Sequence, residues 1–410
     1  MKRSKHRVRF SNADMDFNLT WALGVSDLMG WSHGEVFFAA GQIKDGDGAS
    51  WCEAFRVEGA FLRDRAVAEL AAGRAVSAGQ SYLGSCFAYR TSLQYADPGQ
   101  PQFGETIACM EAVFREGTKA LSIPVRPVEV PFEQASLPGY YLEIDACPRP
   151  TLIMVGGGDT FREDLFYFAG YPGWKRDYNV LMVDIPGQGK TPDRGLHFRI
   201  DAESSIGAVL DWLEANASCR TEDIAVYGVS GGGYFTARAV ASDQRIKAWI
   251  ASTPIYDMAE LFRVEFGSAL RAPAWISNMV GYLVGHLNAN LAINLKKYAW
   301  QFGTSDFAKA AKAVVIQAPV VDVETIRLPS LFLVGESESD ELKRQAREIY
   351  RVLVSYGVDV ELREFTGADG ADAHCQVNNL RLAHVTVFDW LDRVFDRGPA
   401  PARLDPRLLC

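Results

Sequence analysis

The sequence has no C-x-x-C pair, no apolar run long enough to cross a bilayer and no surplus of positive charge, and each absence removes a class of function. Its seven cysteines, at positions 52, 86, 109, 147, 219, 375 and 410, are odd in number and scattered. That usage fits reduced thiols in a cytoplasm better than a disulfide framework or a zinc site, so the expected location is cytoplasmic and no metal is expected. The longest apolar stretches are interrupted by Gly, Pro, Asn or charge, so no membrane partner is expected. With 42 Lys+Arg against 51 Asp+Glu the net charge is −9, which leaves no basic field for phosphates and excludes nucleic acid as the main partner. The basic start MKRSKHRVRF lacks an apolar segment behind it, so no secretory signal is expected there and it is expected to be a solvated, mobile terminus.

What is present is an ordinary globular composition, 48% hydrophobic and 23% charged over 410 residues, enough for one large domain with additions. From Phe17 to Gly117, Ala, Leu, Glu and Arg recur at helical spacing, clearest over Trp51–Leu70 and Ser77–Tyr95. Asp45-Gly46-Asp47-Gly48 reads as a turn between helices; the later ligand positions of a calcium loop are missing. Beyond Ile123 the pattern changes. Val125–Val130 and Tyr140–Ile144 read as strands joined at Leu137-Pro138-Gly139. Short apolar strands then alternate with helices, which predicts a mostly parallel sheet covered on both faces. The alternation stops between Met258 and Ala318, where Phe262, Phe266, Trp275 and Tyr282 belong to a helix-spaced apolar segment expected to act as a lid and line the substrate site. The predicted organisation is a helical N-terminal domain (1–122), a first core part (123–257), the lid (258–325), a second core part (326–398) and a tail (399–410).

The chemistry centres on Ile224–Tyr234. A β-rich run ends at Tyr227, Gly228-Val229-Ser230-Gly231-Gly232 fits G-x-S-x-G, and a helix-like segment follows. That context of strand, strained turn and helix is what a nucleophile elbow requires, so Ser230 is the candidate nucleophile. A serine hydroxyl needs a base, and the base needs an orienting acid. His374, in the loop after the last strand, is the candidate base; His384 sits at packed helical spacing on the final helix. Glu338, three residues past Gly335, is the favoured acid, with Asp340 and Asp257 as alternatives. The expected oxyanion donors are the backbone N–H of Gly231 and one from the Gly156–Thr160 turn, Gly158. Gly187-Gln188-Gly189-Lys190-Thr191 imitates a phosphate loop, but Asp184 stands where that motif needs glycine. No cofactor is expected.

Ser230, Gly157-Gly158-Asp159, Asp184-x-Pro-Gly-Gln-Gly189 and Ala373-His374-Cys-Gln-Val-Asn-Asn together resemble one α/β-hydrolase branch with a helical N-terminal domain, over Phe17 to Phe395. That branch contains 2,6-dihydropseudooxynicotine hydrolase and the fungal polyketide-shortening hydrolases of the yellowish-green pigment type. The resemblance implies a Ser-acid-His triad that hydrolyses a carbon–carbon bond next to a carbonyl of a small-molecule substrate, by a retro-Claisen reaction. It also implies an auxiliary acid/base role for Asp159, a shorter carboxylate than the Glu of the nicotine-degrading member. Ester or thioester cleavage, a cyclase-like reaction, and a binding protein that kept the fold are the alternatives. Monomer and homodimer both remain open.

Overall fold

The computed structural model of the protein describes residues 6–217, 219–271 and 289–397. Its centre is an eight-stranded sheet of order β1-β2-β4-β3-β5-β6-β7-β8. The strands are β1 (Val125–Phe132), β2 (Ala135–Leu142), β3 (Arg149–Val155), β4 (Asn179–Val183), β5 (Cys219–Val229), β6 (Ala248–Ser252), β7 (Ser330–Gly335) and β8 (Val360–Phe365). From β4 across to β8 every neighbouring pair is parallel, while β1 and β2 add an antiparallel edge. β4, β6 and β7 are buried along their whole length, so they read as continuous apolar runs rather than alternating ones.

The hairpin differs from the sequence expectation. β1 and β2 are joined at Glu133-Gln134, where Phe132 pairs with Ala135 and Glu133 has φ 52°. Leu137-Pro138-Gly139 lies inside β2 instead. Pro138 is tolerated there because β2 begins pairing with β4 only at Gly139, and the Pro138 carbonyl still accepts the Asp184 N–H at 3.0 Å.

Five helices precede the sheet: Ala13–Ser26, His33–Gly41, Gly48–Ala71, Ala75–Ser92 and Pro101–Ala120. Asp47 ends the predicted turn by capping the third, its carboxylate accepting the N–H of Ala49 and Ser50 at 3.0 and 3.2 Å. The helices share one continuous apolar core with a face of the sheet, through Trp51, Phe87, Phe114, Tyr140 and Phe388. Val209, Leu213, Val226, Trp249 and Phe332 build the core on the opposite face. The N-terminus is not free along its described length. The N–H groups of Val8, Arg9 and Phe10 converge on the Asp16 carboxylate at 2.8 to 3.1 Å, and Phe10 packs against Trp51. Charge-assisted bonds to one buried carboxylate outweigh the freedom expected of a basic tail.

Strand order decides where a site can form. The chain passes from β3 outward to β4, then returns across β3 to β5, so the loops leaving β3 and β5 diverge. A crevice opens at the carboxyl ends of neighbouring strands whose connections run in opposite directions. The Gly156–Thr160 turn follows β3 and Ser230 follows β5, so both lie at that crevice. After β6 the described part of the insertion forms helices Met258–Arg271, Ala289–Gln301 and Phe307–Gln317. Among the described residues no helix is long and apolar enough to cross a membrane.

Candidate active site

Ser230 sits at φ 54°, in the left-handed region that side chains rarely adopt, at the point where β5 turns into helix Gly232–Ser242. Its N–H donates to the Ser252 carbonyl at 2.6 Å. The flanking glycines are steric necessities. A Cβ on Gly228 would stand 2.2 Å from the Gly232 carbonyl oxygen, and one on Gly232 would stand 2.6 Å from that of Val155. The turn after β3 presses equally close, since a Cβ on Gly157 would lie 2.6 Å from Ser230 Cβ and 3.0 Å from Ser230 Oγ.

His374 occupies the loop between β8 and the last helix, and its Nε2 is 3.0 Å from Ser230 Oγ. The ring is buried, with Phe17 of the first helix 6.4 Å away between ring centres, so the N-terminal helices cover it. On its far side Nδ1 faces Glu338 Oε1 at 3.4 Å, and neither atom makes a closer hydrogen bond among the described residues. Such loosened contacts are common before substrate binds. Glu338 is buried, and its other oxygen accepts the Thr253 hydroxyl. Burial lowers the His374 pKa, the adjacent Cys375 sulfur and the Glu338 carboxylate raise it, and the balance is upward from 6.5.

The other acids are placed elsewhere. Asp340 opens helix Asp340–Ser355 with its side chain in solvent, paired to Lys343 at 3.1 Å. Asp257 caps helix Met258–Arg271, accepting the Glu260 N–H at 2.8 Å. Of the three carboxylates, only Glu338 is within ion-pair distance of His374 among the described residues. His384 is packed, with Nε2 2.9 Å from the Tyr167 carbonyl and its pKa pushed down to about 4, chiefly by burial.

The Pro-Gly-Gln-Gly turn has a structural use the sequence did not disclose. The Gln188 amide donates to the carbonyls of Gly156 and Gly157, which turns the peptide planes after β3. Among the described residues neither Gly158 nor Gly231 donates its N–H to another group, and Gly158 N is 3.6 Å from the position of a Gly231 Cβ. The two amides therefore border one pocket beside Ser230.

That pocket is a cavity of about 860 Å³ lined by Ser230, Gly158, His374, Phe262 and Phe266 among others. Phe262 and Phe266 pack against each other with ring centres 5.4 Å apart and planes tilted by 52°. Trp275 and Tyr282 lie outside the described residues. Asp159 also lines the cavity, 3.9 Å from the ammonium of Lys297. Lys297, Gln94 and Asp14 are cavity residues that sequence reasoning missed. No local signal marks Lys297: its neighbour Lys296 is an exposed partner of Asp97, while Lys297 is buried.

Comparison with known proteins supports the family and the fold. The profile of the prolyl oligopeptidase family matches residues 166–272, the segment that contains the elbow. The 20-hydroxy-prefusarin hydrolase FUS2 of Gibberella moniliformis is 28% identical over 425 residues, spanning 95% of this chain and 98% of that protein. The hydrolyase ccsE of Aspergillus clavatus is 32% identical over 320 residues, which is 71% of each chain. Among solved structures, 2,6-dihydroxy-pseudo-oxynicotine hydrolase superimposes with a TM-score of 0.67 over 92% of this chain and 97% of its own, at 18% identity, a likeness of fold. By sequence and by fold, this chain belongs to the α/β-hydrolase family and is a hydrolase of the branch that includes these fungal enzymes.

Proposed function

We propose that the protein is a serine hydrolase that splits a carbon–carbon bond next to a carbonyl in a 1,3-dicarbonyl or polyketide-like substrate. The observation that carries the reading is Ser230 Oγ at 3.0 Å from His374 Nε2, with Glu338 behind the ring and a largely apolar cavity in front. His374 takes the Ser230 proton as Oγ attacks the carbonyl carbon, and the amides of Gly231 and Gly158 receive the oxyanion. Collapse of the tetrahedral adduct breaks the carbon–carbon bond. The electron pair leaves as an enolate, because only a second carbonyl makes that carbon an adequate leaving group. The imidazolium returns the proton to carbon, and water, activated by the same base, releases the acid from Ser230. In this scheme the His374 imidazolium is the proton donor and Asp159 acts beside Lys297.

A fluorophosphonate probe is expected to label Ser230. Labelling should vanish in Ser230→Ala and fall in His374→Ala, read by intact mass; a folded wild type that resists the probe would sink the triad. Activity on 1,3-diketones against matched esters then separates carbon–carbon from ester cleavage, and hydrolysis of esters alone would refute the carbon–carbon reading.

Gly157→Ala offers a geometric check. The added methyl meets Ser230 and encroaches on the Gly231 N–H, at 2.6 and 3.0 Å. A loss of about 10²–10³ in kcat is expected, the usual cost of spoiling one oxyanion donor. Unchanged kcat with an unaltered circular dichroism spectrum would remove the turn from the oxyanion pocket.

A further inference from the structure

The apolar cavity contains a buried cation that the triad does not use. Lys297, on helix Ala289–Gln301, lines the same cavity as Ser230 and His374 and is only 8% exposed. Its Nζ donates to the Gln94 carbonyl at 3.1 Å and faces Asp159 Oδ1 at 3.9 Å, the outer limit of an ion pair. An ammonium has three protons to place, and among the described residues it donates one short hydrogen bond, to a neutral carbonyl, with the Asp159 carboxylate at the edge of ion-pair range and Asp14 further off. Leaving a charge so weakly compensated in an apolar cavity is costly unless a ligand completes its shell.

The neighbourhood ties Lys297 to the reacting centre. From the same helix, Gln301 donates to the Gly158 carbonyl, and Tyr298 reaches within 3.7 Å of where a Gly158 Cβ would be. Lys297 therefore belongs to the face that braces the Gly157–Asp159 turn, whose other side touches Ser230. Charged neighbours pull in both directions. Burial lowers the Lys297 pKa most, Asp159 raises it, Arg90 lowers it and Asp14 raises it, and the balance is downward from the ordinary lysine value. A negative oxygen brought to the ammonium offsets part of that burial cost.

We infer that Lys297 is the subsite for the oxygen of the carbonyl that is not attacked in a 1,3-dicarbonyl substrate, the oxygen that becomes the enolate oxygen as the carbon–carbon bond breaks. The inference rests on the proposed carbon–carbon hydrolysis. As the bond to the attacked carbonyl carbon breaks, its electron pair becomes the carbon–carbon double bond of the enolate, and the negative charge collects on oxygen. The Lys297 ammonium receives that charge while the His374 imidazolium protonates carbon, so no co-reactant is required. Substrates are then selected for the stability of the departing enolate as well as for apolar bulk.

The test uses Ser230→Ala, which binds without cleaving. Titrating it with an aryl 1,3-diketone should produce the ultraviolet band of the enolate at a pH where free diketone shows little of it. Adding Lys297→Met should weaken binding at least tenfold and suppress the band, while Lys297→Arg should restore part of both. In the Ser230 background of the wild type, Lys297→Met should reduce kcat/KM on the diketone at least tenfold more than on a matched ester. Thermal melts of each variant separate misfolding from lost binding, and Lys297→Gln serves if the methionine variant does not fold. Equal binding and an equal band with and without Lys297 would overturn the inference, as would equal losses on both substrates. A wild type that splits esters but no diketone would defeat the proposed reaction instead, and the binding titration would still decide on Lys297.

Discussion

Glu338→Gln is expected to lower kcat by about 10⁴-fold, the scale on which a triad loses activity when its acid becomes an isosteric amide. The substitution preserves shape and the contact with Thr253 but replaces the carboxylate 3.4 Å from His374 Nδ1 with a neutral group. Two consequences follow physically. The imidazole loses the partner that selects its tautomer, and the imidazolium formed during attack loses its counter-charge. The pH profile should report the second effect. His374 works as a base only when neutral, and its pKa lies above 6.5 in the folded protein, with Glu338 one of the groups that raise it. The acid limb of kcat/KM should therefore lie above pH 6.5 in the wild type and move downward in Glu338→Gln. Asp257→Asn and Asp340→Asn should stay within a few-fold of wild type with the limb unmoved. A Glu338→Gln variant with near-normal turnover would transfer the role to another acid.

The second large effect concerns stability. Arg90, from helix Ala75–Ser92, is 2% exposed and bonds through Nε to both oxygens of Asp164 at 2.8 Å. It also donates to the Gln94 side chain at 3.0 Å and to the Asp159 carbonyl, and stacks over Trp21 at 4.3 Å. One guanidinium thus ties the N-terminal helices to the turn after β3. Arg90→Met should cost about 3–5 kcal/mol, the usual result of stranding one half of a buried pair. The pH dependence has a definite sign. Asp164 already has a raised pKa, chiefly from burial, and Arg90 is the largest influence lowering it. Without Arg90 it rises further, so the folded variant takes up a proton over a wider range above the unfolded value. Its stability is then fullest below that value and falls as pH rises. Urea denaturation should show a larger deficit at pH 8 than at pH 5. A uniform deficit of under 1 kcal/mol would mean the pair contributes little.

The elbow was legible because its requirements are local: glycines at fixed offsets, a β-rich run before and a helix after. The base was legible from chain order and from the scarcity of histidine. The acid was narrowed but not decided, since Glu338 and Asp340 are two residues apart and differ only in what packs around them. Burial against Thr253 and His374 separates Glu338 from the solvated Asp340. The hairpin turn was misplaced because Leu137-Pro138-Gly139 has turn chemistry, while Glu133-Gln134 has none and turns at a positive φ under tertiary constraint. Lys297 was invisible for a related reason: burial of a lysine between two helical segments is a long-range event, and its sequence neighbourhood matches that of the exposed Lys296.

The most direct measurement is a single-turnover acid quench with an aryl 1,3-diketone, followed by mass analysis of the Ser230 peptide. An adduct equal in mass to the acyl fragment is expected on Ser230, formed before the carboxylic acid appears and absent from Ser230→Ala. Diketone cleavage that proceeds at the wild-type rate in Ser230→Ala, with no adduct at any time, would contradict the account.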